Sequence, residues 1–273
     1  MSSESSLERT RSKSSPTTLW SATWPKLAAI ALAIAAWQAV VWFGRWPSWV
    51  LPGPTEVLPR VGQELASGAV LQSLAITLRR AVVGFALATV AGSAIGLLLT
   101  TSRTLRSAAL ALLTGLQTMP SVAWFPLAIL LFQLGEAAIL SVVVLGAAPS
   151  VAVGLVSSFD HVPPLWIRAG RSLGARGWQL YRHVIGPAIL PGFVAGLKQA
   201  WAFAWRSLMA GELLVIIGHQ PSLGVRLQYA RELSDAEGLL AWMIVVLAVG
   251  VAIESLVFAH VESTLRHRRG LGL

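Results

Sequence analysis

An all-α membrane protein, a bundle of about six transmembrane helices, is the fold class this sequence predicts. Three observations predict it. Only 12% of the 273 residues are charged while 55% are hydrophobic, against roughly 25% charged in an ordinary soluble domain. Long uncharged apolar runs recur along the chain, and nearly all the Lys and Arg lie in the segments between and around them. So little polar surface cannot coat a globule in water, so lipid is the remaining solvent. A backbone in lipid has to satisfy its own hydrogen bonds. With no period-two alternation to suggest a barrel, helices are left.

The elements follow in order. Residues 1–20 (MSSESSLERTRSKSSPTTLW) are Ser-rich and polar and read as a disordered cytoplasmic tail. A signal peptide is the competing reading, but the polar lead is long and no clear small-x-small site ends it. Residues 21–273 read as one membrane domain. The first apolar run, Leu27–Phe43, lies between Lys26 and Arg45 with Trp residues at its edges. The second, 81–101, is bounded by Arg79-Arg80 and Arg103. The third, 108–134, contains Pro120 and Pro126, so it is one long kinked helix or two shorter pieces. The fourth, 137–156, contains Pro149. The fifth, 192–217, carries Lys198, Arg206 and Glu212, and the sixth, 239–258, carries Glu254.

Orientation follows from the basic residues in the connecting segments. With the N-terminus inside, thirteen of the 21 Lys and Arg fall in cytoplasmic segments, six in outer segments and two in the fifth run. That bias places both termini in the cytoplasm. Small residues recur every fourth position in the second run (Gly84, Ala88, Gly92, Gly96) and in the fourth (Gly146, Ser150, Gly154). Such ridges let helix backbones approach closely in lipid.

Several functions are excluded on residue content. The net charge of +9 and pI near 11.3 come from residues beside apolar runs, where their meaning is topological. No basic face with interleaved aromatics points to nucleic acid. The five histidines fall in loops or at run ends and none pairs at metal-ligand spacing, so no metal and no cofactor are expected. With no G-x-S-x-G and no His deep in a run, an intramembrane serine protease lacks its machinery, and no catalytic residue is assigned. The only lysines are Lys13, Lys26 and Lys198, and none follows a phosphate-cradling glycine pattern, so the chain has no recognisable ATP site.

The most informative stretch is the long basic segment 159–191, cytoplasmic in this topology. It mixes Leu165, Trp166, Ile167, Leu173, Trp178, Leu180 and Tyr181 with four arginines. Gly174 sits mid-segment, and Gly186-Pro187 and Pro191 close it. This predicts two short amphipathic helices joined at a glycine turn. Such a segment either lies on the bilayer, arginine against phosphate, or docks on a cytoplasmic protein.

The same stretch resembles the cytoplasmic "EAA" loop of binding-protein-dependent ABC importer permeases. That loop has a glycine six residues after the motif's first position and a proline thirteen residues further on. Here these are Gly174 and Pro187, and the motif starts on Arg168-Ala169-Gly170 with Leu173 before the glycine. Arginine replaces the family's glutamate at Arg168, glycine its second alanine at Gly170, and Gly186 the leucine before the proline. The helix–Gly–helix shape survives these departures. LPGPTEVLP (51–59), TLRRAVVGFALATVAGSAIGLLL (77–99), LQTMPSVAWFPLAILLFQLGE (116–136) and AWRSLMAGELL (204–214) are also similar to the family, in its nitrate, sulfonate and taurine branch. The resemblance implies a type I importer permease whose loop contacts cytoplasmic ABC ATPase subunits. It implies a second permease subunit, as a homodimer or with a paralogue, and a periplasmic or extracellular substrate-binding protein. It places the chain in a bacterial inner membrane.

Ionisable residues inside a span are functional candidates by default. Lys198, Trp205 and Glu212, spaced by seven, share one face of the fifth helix, with Arg206 about 100° round from Trp205. One reading makes Trp205, Arg206 and Glu212 a wall of the translocation path, with Arg206 meeting a passing anion. The other makes Arg206 half of a structural ion pair with Glu212, Glu136 or Glu254. Lys198 reads as a residue that snorkels to the cytoplasmic surface. An ion-coupled secondary carrier is the alternative function, but no internal duplication is visible and the embedded acids sit near run ends.

Overall fold

The computed structural model describes residues 16–218 and 220–268, and every element among them is helical. Helix α1 is Pro16–Phe43, α2 Pro54–Ala66, α3 Ala69–Thr100 and α4 Arg103–Thr118. A 3-10 turn, Ser121–Trp124, leads into α5, Phe125–Phe132. Then come α6, Glu136–Asp160, and α7, Pro164–Ser172. The 37-residue α8 runs Trp178–Leu214 and contains a π turn at Tyr181–Ile185. Helix α9 is Leu223–Glu232 and α10 is Ala236–Thr264. The expected tail falls largely outside the described residues; α1 is helical from Pro16.

Helices α3, α6, α8 and α10 are each long and apolar enough to cross a membrane. The third apolar run is two pieces, bent by 101° between α4 and the segment Ser121–Phe132. Proline disfavours the helical conformation of the residue before it. Met119, which precedes Pro120, accordingly has ψ 127°. Pro126 instead starts α5, where its missing N–H costs nothing. The run at Leu27–Phe43 forms a shorter apolar helix whose residues face outward, as lipid-facing residues do.

Helix α6 is the centre of the bundle, packed between α3 and α8. The small-residue ridges make both contacts. A Cβ at Gly92 would stand 2.5 Å from the Ala148 carbonyl oxygen, and one at Gly84 2.8 Å from Val143. On the other side Gly154 and Gly196 cross so closely that a Cβ on Gly154 would lie 2.8 Å from the Gly196 Cα. Ile139, Val142, Val143 and Val151 fill the buried seam.

One expected boundary is displaced. Gly186-Pro187 and Pro191 do not close the loop, because α8 runs through them into the fifth span. A proline ring clashes with the carbonyl four residues back, here that of His183. The π turn ending at Ile185 widens the helix at that place and lets it continue. The second loop helix is thereby continuous with the fifth span.

Candidate coupling turn and translocation groove

The turn is built by α7 and the start of α8. Pro163-Pro164 opens α7, and its last turn ends in a left-handed residue, Gly174 at φ +88°. The Leu173 N–H donates to the Ala169 carbonyl (3.1 Å), and the Ala175 N–H reaches back to Gly170 (3.0 Å). No atom lies within 4 Å of where a Gly174 Cβ would sit, so it is backbone conformation and not space that calls for glycine. Gly170 is the reverse case. It is buried, and its Cβ would come 2.8 Å from Val184 and 3.0 Å from Leu180, so α7 touches α8 there. Arg168 and Ala169 are exposed, and Leu173 is 88% exposed at the tip. The structure thus gathers Arg168, Ala169, Gly170, Leu173 and Gly174 at one turn, while Pro187 stands along α8 beyond the π turn.

A groove of about 680 Å³ runs between α8 and α10, with Trp205 and Arg206 in its wall and Lys198 and Glu254 toward its other end. Trp205 lies against Gly250, where a side chain would stand 3.1 Å from the indole nitrogen. It stacks on Trp201, which meets Phe85 edge-on, so the wall is held by rings. Lys198 is paired with Glu254 at 3.3 Å and Glu262 at 4.0 Å. Arg206 is exposed; its Nε donates to its own helix at the Ala202 carbonyl (3.0 Å), and its guanidinium lies 4.7 Å over the Phe203 ring. It forms no ion pair among the described residues. The three acids considered as its partners are engaged elsewhere: Glu254 with Lys198, Glu136 with Arg79 and Arg80, and Glu212 with Arg80.

Glu212 is therefore not in the groove with Trp205. It is fully buried, 3.0 Å from Arg80, which is 1% exposed. Thr77 donates its hydroxyl to Glu212 (2.9 Å), as does the Gly224 N–H at the start of α9 (3.1 Å). Arg80 also donates to Gln220 (2.8 Å), and Thr77 accepts from the Leu223 N–H (3.0 Å). The heptad spacing misleads because sharing a face is not sharing neighbours: Glu212 lies one heptad, about 10 Å, further along α8 than Trp205, where α3 and the start of α9 flank the helix. Arg80, read as an outer flanking charge, lies well inside α3. A signal for it existed: continuing the Gly84–Ala88 ridge backward at helical spacing gives Arg80, Thr77 and Ser73, all buried.

A second groove, about 470 Å³, lies between α6 and α8, and its lining includes the polar side chains of Gln117, Ser150, Ser157, His161 and Gln199. Single Ser and Gln residues in apolar runs gave no sequence signal.

The turn, the long helix that continues from it and the grooves beside that helix are the candidate site. A family model, the binding-protein-dependent transport system inner membrane component, matches residues 66–267. The chain belongs to that family and is an ABC importer permease subunit, a transporter component and not an enzyme. It is 29% identical over 234 residues to a putative ABC transporter permease protein of Methanocaldococcus jannaschii, covering 84% of this chain and 86% of that one. It is 29% identical over 227 residues to the putative aliphatic sulfonates transport permease protein SsuC of Bacillus subtilis (83% and 81% covered). It is 31% identical over 215 residues to the riboflavin transport system permease protein RibX of Chloroflexus aurantiacus (78% and 79%). The fold matches a chain of the inward-facing MetNI methionine ABC transporter, with TM-score 0.57 and 20% identity over 71% of this chain and 95% of that one.

Proposed function

We propose that this permease carries a small organic or inorganic anion, of the sulfonate, taurine or nitrate kind, along a path walled by α8. The observation that carries this is Arg206. It is a permanent cation near the middle of the fifth apolar run (192–217), exposed on a groove and without a carboxylate partner among the described residues. A charge so placed is costly unless water, a partner chain or a ligand meets it. The sulfonate relative supports the same substrate class. Two copies of the chain face each other across the path, and Gly174 turns contact separate ATPase subunits inside the cell. With six spans, α1 and the bent α4–α5 pair included, both termini are cytoplasmic in a bacterial inner membrane, and a binding protein delivers the substrate from outside.

Mechanically, α8 is one rod from Trp178 to Leu214. At 1.5 Å per residue, a displacement at the turn reaches Arg206 about 42 Å away without crossing a loop. ATP binding on the partner subunits draws the turns together and tilts the α8 pair, which opens the path outward, and hydrolysis restores it. The site is weak by construction, since one exposed arginine does not trap an anion. Uptake of labelled taurine, alkanesulfonate, nitrate and riboflavin by cells with and without the chain tests the substrate class. Uptake confined to riboflavin or to a cation would sink it.

A further inference from the structure

The turn's charge is uncompensated. Between Asp160 and Glu212 the chain has no acidic residue, yet it carries Arg168, Arg171, Arg176 and Arg182. All four are exposed, and none forms an ion pair among the described residues. Asp160, the nearest carboxylate in sequence, is taken by Arg106 on α4. On α7, Arg168 and Arg171 stand one turn apart, and Trp166, Ala169 and Leu173 form a parallel apolar row. Between α7 and the start of α8 is a cleft of about 720 Å³. Ile167, Leu180 and Ile185 floor it, Tyr181 walls it, and Arg171 and Arg176 flank it.

We infer that the ATPase surface receiving this turn is acidic, with carboxylates held by Arg168, Arg171 and Arg176 around an apolar side chain seated in the cleft. The inference rests on the reading of the turn as the ATPase contact, and adds the chemistry of the partner. Arginine forks pair with carboxylates in two parallel hydrogen bonds, so the three guanidiniums fix register as well as contributing attraction. A concave cleft with an apolar floor is filled by a protruding side chain. A bilayer surface presents none, which favours protein over anionic lipid as the counterpart.

The test uses the tagged full-length chain purified in mild detergent from its native membrane, with co-purifying P-loop ATPase identified by mass and quantified. ATPase should be retained at low salt and lost steeply as salt rises to about 0.5 M, where exposed charges are screened beyond a few ångströms. Arg171→Glu with Arg176→Glu should weaken retention by at least about a hundredfold, and the paired lysine variants by far less. Exposure of both residues leaves folding intact, which membrane insertion of the variants verifies. Retention by the charge-reversed variant, or a complex indifferent to salt, overturns the inference while leaving the ATPase contact standing. Complexes exchanged into nanodiscs of zwitterionic lipid should hold their ATPase; dependence on anionic lipid assigns the arginines to headgroups and overturns it too. Absence of ATPase from the wild-type preparation removes the underlying reading and the inference together.

Discussion

Arg206 and Glu212 sit less than two turns apart on one helix and meet opposite fates. Glu212 is buried in a closed network with Arg80, Thr77 and the N-terminus of α9. A buried pair of this kind is costly to break from one side, because the remaining charge has no solvent. Glu212→Gln or Arg80→Gln should lower stability by about 3 kcal/mol or more in thermal unfolding of the purified protein. Arg80→Gln combined with Glu212→Gln should cost clearly less than the sum of the two single changes. Simple additivity would contradict the network. Arg206→Ala is the contrasting case: anion uptake should fall about tenfold or more with membrane protein levels unchanged, because its hydrogen bond to Ala202 and its contact with the Phe203 ring stay within its own helix. An unchanged rate would remove it from the path. Gly174→Leu should leave insertion intact, since the left-handed residue costs roughly 1–2 kcal/mol, yet abolish uptake if the turn is the ATPase contact proposed above. Gly174→Asn should retain part of the activity. Of these residues, the Gly174 turn was legible in sequence, as a glycine set between two amphipathic stretches. The Arg80–Glu212 pair was not, because the two lie 132 residues apart and no local pattern joins them.

At the scale of elements, the small-residue ridges were read correctly as close helix contacts. Their reason is visible at Gly154 and Gly196, where backbone meets backbone and no side chain can yield. Gly154→Leu should therefore destabilise the bundle by about 3 kcal/mol or more, seen as a lower unfolding temperature. Gly115→Ala, on α4 with open space around it, should raise stability by roughly 0.5–1 kcal/mol. Equal effects at the two glycines would contradict the packing. The prolines were legible only in part. Pro120 breaks its run and Pro126 begins a helix, but Pro187 and Pro191 stay inside α8. Proline identity marks a missing N–H. Whether the helix ends, bends or widens into a π turn depends on what packs against it, which composition does not carry.

For the whole molecule, membrane class and helical architecture were legible from hydropathy and charge alone, since lipid leaves the backbone few choices. The groove was not, because it forms between α8 and α10, which meet only in the folded bundle. Orientation can be tested simply, because the chain contains no cysteine. Ser172→Cys should react with a membrane-impermeant maleimide only from the cytoplasmic side, and Ser234→Cys only from outside. Labelling from one side at both positions would overturn the topology. The central claim is that this chain is the passive half of an ATP-driven importer. The most direct measurement is the native mass of the complex purified from its own membrane in mild detergent. The account predicts two copies of this chain with two P-loop ATPase subunits. A chain that repeatedly purifies folded and without ATPase, and that accumulates its substrate on a proton or sodium gradient alone, would contradict it.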